Sequence, residues 1–207
     1  MTVIVLTVDQ RSSRSRADLV PRALEVTAEV PLLRPLERTV GDEVQGVLDR
    51  PEHLALVLEP LLRDDAWHIG LGAGAVEEPL PAHARAGRGP AYLHARESVE
   101  RAKNSPWHLR VQGDTADARQ LESALWLWAA VLARRTPRGW EVVDLADQGL
   151  THEEIGRRLG ISQSAVSQRA QAAGLAEGRR ARELVTHLAT PLLRVADAGT
   201  SRAGMGT

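Results

Sequence analysis

Apolar positions along the chain switch between two periods. Residues 3–8 (VIVLTV) form a short β-branched run that ends in the polar stretch DQRSSRSR beginning at Asp9, the pattern of a strand and its exit turn. Within 17–30, Leu19, Ala23, Val26 and Val30 recur at helical spacing. Residues 36–40 and 44–48 flank Gly41, Asp42 and Glu43 and predict a hairpin. Leu54, Leu58, Leu61 and Leu62 predict a helix over 51–62, opened by Pro51 at a first-turn position. Residues 67–74 (WHIGLGAG) read as a strand thin in side chains, and 77–89 as a Pro- and Gly-rich loop. A helix over 90–103 and a closing strand at 107–112 (WHLRVQ) follow. The order β-α-β-β-α-β-α-β predicts an antiparallel or mixed sheet with helices on one face. That is an α/β (α+β) arrangement, a ferredoxin-like domain with an addition, over residues 1–114.

From Asp114 onward the strand pattern is gone. Residues 117–134 place Leu121, Leu125, Trp128 and Leu132 on one stripe, and Trp126, Leu127, Ala129, Ala130 and Val131 extend the apolar surface almost all round. A helix of that kind needs cover on several sides, from its own domain or from a second copy. A later helix, 179–195, carries Leu184, Leu188, Leu192 and Val195, interrupted by Pro191. Residues 115–198 therefore read as an all-α region with stripes suited to dimerisation, and 199–207 as a disordered small-residue tail.

Composition narrows the classes. Cysteine is absent, which excludes disulfide scaffolds, thiolate catalysis and cysteine-ligated zinc. No apolar run is long enough for a membrane span, and the apolar opening is too short for a signal peptide, so the expected address is the cytoplasm. Lys103 is the only lysine, a bias that reads as GC-rich coding. Formal net charge is -1, but residues 117–207 hold 12 basic against 10 acidic side chains, whereas 1–116 hold 14 against 17. The excess suits a polyanion on the C-terminal side. The seven histidines are scattered without ligand spacing, and GLGAG at 70–74 lies inside a strand, unlike a dinucleotide fingerprint.

The stretch GLTHEEIGRRLGISQSAVSQRAQAAG (149–174) carries the most specific signal. Thr151 with Glu154 three positions later is a capping box. Ile155 and Leu159 point inward, and Gly156 leaves room for a second helix. Gly160 ends the first helix, Ile161 inserts below the turn, and Ser162 caps a second helix whose Val166, Ala170 and Ala173 are buried. Its other face presents Gln163, Ser164, Ser167, Gln168 and Gln171. EIGRRLGISQSAVSQR resembles the helix-turn-helix of regulators of the MarR, LuxR and sigma-region-four type. A recognition helix lies in the major groove, where Gln163 and Gln168 suit adenine and Ser164 and Ser167 suit bases or phosphate. Arg157, Arg158 and Arg169 are placed for phosphates, with Thr151 at the start of the first helix. Two copies would present recognition helices to successive major grooves, so the expected partners are double-stranded DNA and a homodimer mate.

In the N-terminal half, Asp9 ends the first strand and Asp42 sits in the hairpin. In a ferredoxin-like sheet those ends are neighbours, and paired carboxylates repel unless protonated or bridged by a cation. Their oxygens suit magnesium, and Ser12, Ser13 and Arg14 offer donors to a phosphate. DQRSSR from Asp9, GDEVQ from Gly41, HIGLGAG from His68 and GPAYLHAR from Gly89 together resemble the SatD family and, more remotely, class III and GGDEF nucleotide cyclases. The resemblance implies a cyclase-like fold, Asp9 and Asp42 as metal ligands, and Ser13, Arg14 and Arg96 toward a purine nucleotide. The chain departs from the cyclases where an asparagine should precede Arg96 by four positions, since Tyr92 stands there. It also has no base-selecting lysine. The expectation is therefore a degenerate domain that binds a nucleotide or serves as a platform, with no catalytic residue assigned. The alternatives are a magnesium-dependent nucleotidyl cyclase with a DNA-targeting appendage, and an interaction scaffold.

Overall fold

The computed structural model describes residues 1–13 and 16–194. Arg14, Val195 and the 199–207 tail lie outside the described residues. Strands β1 (Thr2–Gln10), β2 (Arg34–Arg38), β3 (Glu43–Leu48), β4 (Trp67–Ala75) and β5 (Leu109–Gln112) form one sheet in the order β2-β3-β1-β4-β5. The first four are antiparallel neighbours, with β1 between β3 and β4, and β5 lies parallel to β4. This is the expected ferredoxin-like order with one added strand. Helices α1 (Val20–Thr27) and α2 (Glu52–Asp64) belong to that core, and α3 (Pro90–Ala102) is the crossover that a parallel β4–β5 pair requires.

The helices do not all share one face, and the expected single layer is corrected here. Side chains alternate along β1: Ile4, Leu6 and Val8 join the core of α1 and α2, whereas Val3 and Val5 pack with Ala91, Tyr92 and Ala95 of α3. α3 therefore covers the opposite side of the sheet. The glycines of β4 explain how closely it lies. A Cβ at Gly70 would stand 2.3 Å from the Val99 nitrogen, and one at Gly72 would stand 2.1 Å from the Ala91 oxygen. The GLGAG run is a bare strip on which a helix backbone rests.

Helices α4 (Ala116–Ala133) and α8 (Leu175–Leu193) lie on the α1–α2 side. Leu121, Leu125, Trp128 and Leu132 of α4 and Val185, Ala189 and Leu192 of α8 share one core with Ile4, Leu6 and Leu58. The change from strands to helices near residue 114 is thus not a break in the core. Among the described residues, most of the stripes expected to form a dimer interface are buried within the chain, with Leu188 packed against the same core, while Leu127 and Leu184 stay exposed. α4 also closes the free edge of β5: Glu122 accepts from the Val111 amide at 2.8 Å, and Trp126 donates to the Leu109 carbonyl at 2.9 Å.

The remaining helices, α5 (Pro137–Asp147), α6 (His152–Leu159) and α7 (Gln163–Ala172), gather around a second, smaller core of Val142, Leu145, Ala146, Ile155, Val166 and Ala170. The hydrophobic pattern left α5 unassigned. Its start was nevertheless written in the chain, because Thr136 caps it by accepting from the Gly139 amide and Pro137 occupies the first turn.

Candidate nucleic-acid interface and the cleft on the sheet

Each local feature of the α6–α7 pair follows from its residues. Thr151 accepts from the Glu154 amide at 3.3 Å, and the Glu154 carboxylate accepts from the Thr151 amide at 2.8 Å, completing the capping box. Donation from the Thr151 amide, then from its hydroxyl, holds the Glu154 carboxyl below its usual pKa. Gly160 ends α6 at φ 66, a left-handed position that favours glycine. Gly156 faces the following turn, where an added Cβ would lie 2.8 Å from the Ile161 oxygen. The Ser162 hydroxyl accepts from the Ala165 amide at 3.2 Å and starts α7.

The result is a second helix buried along Val166, Ala170 and Ala173 and exposed along Gln163, Ser164, Ser167, Gln168 and Gln171. Ser164 shares a hydroxyl contact of 3.0 Å with Ser162. Among the described residues, the side chains of Gln163, Ser167, Gln168 and Gln171 make no intramolecular hydrogen bond, so their polar groups face water. Arg157 and Arg158 are exposed at the end of α6, Arg169 is half-buried on the flank of α7, and Thr151 is exposed. Gln171 belongs with Ser164 and Gln168, one and two turns along the same face, and its spacing was the signal for it. Alongside the same face of α7 a groove of about 510 Å³ runs to α8, lined by His152, Ser167, Gln171, Arg179, Arg180 and Glu183 among others.

Residues 131–173 match the family Sigma-70, region 4. Sigma region four is among the helix-turn-helix types that the motif resembles, and the match spans the end of α4 through Ala173. This region-4 segment is a helix-turn-helix of the DNA-binding, transcription-related kind and covers less than half of the chain. No curated protein and no solved structure matches the chain. The resemblance of the sheet body to SatD and cyclase proteins thus rests on its four motifs alone.

The second site is a cleft of about 830 Å³ lined by Asp9, Asp42, Glu43, Arg85, Tyr92 and Arg96 among others. The structure therefore brings Asp9, Asp42 and Arg96 together. Ser13 lies in the turn after β1 and is not part of that lining. In the sheet register Asp9 stands opposite Glu43, and the Gln10 amide donates to the Asp42 carbonyl at 3.3 Å. Burial, then the neighbouring Asp42, raises the Asp9 pKa, and Lys103 opposes them from 3.8 Å.

This donor set does not fit magnesium well. Among the described residues no three His, Cys, Asp or Glu side chains converge as a metal would need, and an ammonium already neighbours Asp9. Tyr92 is buried beneath Gly87, where an added Cβ would lie 2.0 Å from the hydroxyl. It packs the cleft wall and does not replace the missing amide of an asparagine. Among the described residues the guanidinium groups of Arg85 and Arg96 form no close ion pair, although the Arg85 charge helps to lower the Glu37 pKa, so the cleft presents two cations. Sequence reasoning missed Arg85, which no motif marks, and Gln10, whose buried amide donates to the Ala17 carbonyl and accepts from the Leu19 amide.

Proposed function

We propose that this protein is a sequence-specific DNA-binding transcription regulator whose sheet body carries and orients the region-4 segment. The observation that supports this most directly is the exposed α7 face of Gln163, Ser164, Ser167, Gln168 and Gln171, unengaged by the rest of the chain. Buried glutamines would be satisfied internally. Here the side chains that suit base edges point outward from a helix braced on its other side. Arg157, Arg158 and Arg169 would meet phosphates, and Thr151 would fix the first helix against the backbone. The protein contains no helix, among the described residues, that is long and apolar enough to cross a membrane. A cytoplasmic setting follows from the DNA reading.

The sheet cleft is the effector site in this reading. Arg85 and Arg96 suit the phosphate of a purine nucleotide, and the exposed Val40 and Leu93 at its rim suit an apolar ring. Phosphoryl transfer is not proposed, because Lys103 rather than a cage of oxygens faces Asp9. The test is binding of labelled random duplex DNA by the full chain across a salt series, with and without purine nucleotides. Salt-dependent binding that a nucleotide shifts supports both parts. Magnesium-dependent consumption of a nucleoside triphosphate, lost in Asp42→Ala, would instead favour the enzyme. Sedimentation with and without DNA decides whether two copies assemble.

A further inference from the structure

We infer that α7 reads adenine–thymine pairs and lacks the chemistry to select guanine or cytosine. The inference rests on the regulator reading and specifies its partner. At about 100° per residue, the direction opposite Val166, Ala170 and Ala173 is held by Ser164, Gln168 and Gln171, spaced i, i+4 and i+7. All three are exposed. Gln163 and Ser167 stand to one side of this line and Ala172 to the other. Arg169, the one charged residue of α7, is half-buried and turned to the flank.

Base-edge chemistry then decides the class of site. Adenine presents an acceptor at N7 beside a donor at N6, and a carboxamide offers the matching donor and acceptor together. Gln168 and Gln171 have both halves of their amides unspent. Guanine presents two adjacent acceptors, which call for the forked donors of arginine or the ammonium of lysine. No such group stands on the outward line. Cytosine offers a donor that a carboxylate meets best, and α7 (QSAVSQRAQA) contains no Asp or Glu. The Ala172 methyl suits the methyl group of thymine. Ser164 accepts either alphabet and adds no discrimination for G·C.

The length of the reading line sets the size of the core. Ser164 to Gln171 rises roughly 10 Å at 1.5 Å per residue, or about three base steps of 3.4 Å. The reading line therefore covers a core of about three to four base pairs, with two adenines within it.

Selection from a random duplex library, with wild type, Gln168→Ala and Gln171→Ala of the full chain, tests this. The expected core is A·T-dominated, and each variant relaxes preference at a different core position by roughly 5- to 150-fold, the weight of one bidentate contact. Replacing the matching adenine by 7-deazaadenine should weaken the wild type and leave the corresponding variant unaffected. A G·C-dominated core, or variants that keep the wild-type preference, overturns the inference while DNA binding stands. No binding to any duplex by a protein shown folded by circular dichroism overturns this inference and the regulator reading together.

Discussion

Arg135 donates from Nε to the carbonyl of Ala173 at 2.9 Å, so the second residue beyond α4 is bonded to the residue that caps the recognition helix. The same side chain, fully buried, reaches Glu59 of α2 at 3.2 Å. Two guanidinium groups lie over the ring of Trp140 of α5, Arg63 at 4.3 Å and Arg135 at 4.5 Å from its centre. Arg182 of α8 holds Glu59 with two bonds of 2.6 and 3.0 Å. Arg63 takes Asp144 of α5, and Arg179 and Arg182 take Asp147. The small helical core is therefore tied to the sheet body by charges through Asp144 and Asp147 of α5, while Glu141 stays exposed. Arg157 and Arg158 are left facing solvent.

Glu59 is the hinge of that network, and its loss should exceed the loss of any single arginine. Burial lowers the Arg135 pKa, and Glu59 is the anion that offsets it. Glu59→Ala leaves two arginines facing each other, one without exposure, and removing one partner of a buried pair costs about 3–5 kcal/mol. Arg182→Ala leaves Glu59 still paired with Arg135 and should cost less. Urea unfolding of both variants checks the order; equal losses would mean that the arginines find other partners.

Gly72→Ala should be among the most damaging single changes in the sheet. The added methyl would lie 2.1 Å from both the Ala91 oxygen and the Ala95 nitrogen, backbone atoms that cannot turn aside. α3 would have to lift off β4, emptying the core around Val5 and Tyr92. A loss of roughly 3 kcal/mol or more is expected, at the severe end for overpacking. Gly41→Ala is a useful contrast, because nothing surrounds its Cβ position and only its φ of 64 opposes the change. Thermal melts should separate the two.

Periodicity was enough to read most elements, because strands and helices here present opposite polar and apolar faces. The helix-turn-helix was legible residue by residue, since each of Thr151, Gly156, Gly160 and Ser162 has one geometric duty that its side chain announces. α5 escaped because its buried face includes Gly139 and Ala146, small residues that weaken the apolar stripe. The destination of α4 was illegible for another reason. A helix apolar on nearly all sides says that cover is needed, and not whether it comes from β5, α8 or a second chain. The side of the sheet taken by α3 was encoded in Gly70 and Gly72, whose missing side chains are easily read as weakness instead of contact. At the cleft, Asp9 and Asp42 were placed correctly as neighbours. The proximity of Lys103, 94 residues from Asp9 along the chain, depends on α3 crossing the sheet and had no local signature.

DNA binding should show the modest salt dependence of a small cationic surface. With Arg157, Arg158 and Arg169 as phosphate contacts, the slope of log K against log salt is expected near −3, about −0.9 for each phosphate neutralised. Arg157→Ala and Arg158→Ala should each flatten it by about 1 and weaken all sequences alike. Gln168→Ala should leave the slope intact and change only preference. Fluorescence anisotropy across a salt series distinguishes these outcomes. A slope unaffected by either arginine variant would place the phosphates elsewhere on the surface.

The acid response of the fold should carry two opposing signs from one end of the sheet. His68, opposite Asp9 in the register, has its pKa lowered to about 4 by burial and then by His108, whose ring stands 5.1 Å away edge-on. Between the ordinary histidine value near 6.5 and about 4, the unfolded chain takes up a proton that the folded chain refuses, so stability falls as pH drops through that window. His68→Gln should flatten this limb. Asp9 works the other way. Its raised pKa means that the folded state disfavours the carboxylate, and Asp9→Asn should stabilise the protein at neutral pH, by less than about 1 kcal/mol because the group is partly exposed and faces Lys103. That gain should shrink as the wild-type carboxyl protonates on acidification. Chemical denaturation of the two variants at pH 7 and pH 4 separates the contributions. An Asn variant less stable than wild type at pH 7 would show that the Lys103 attraction outweighs the cost of burying Asp9 beside Asp42.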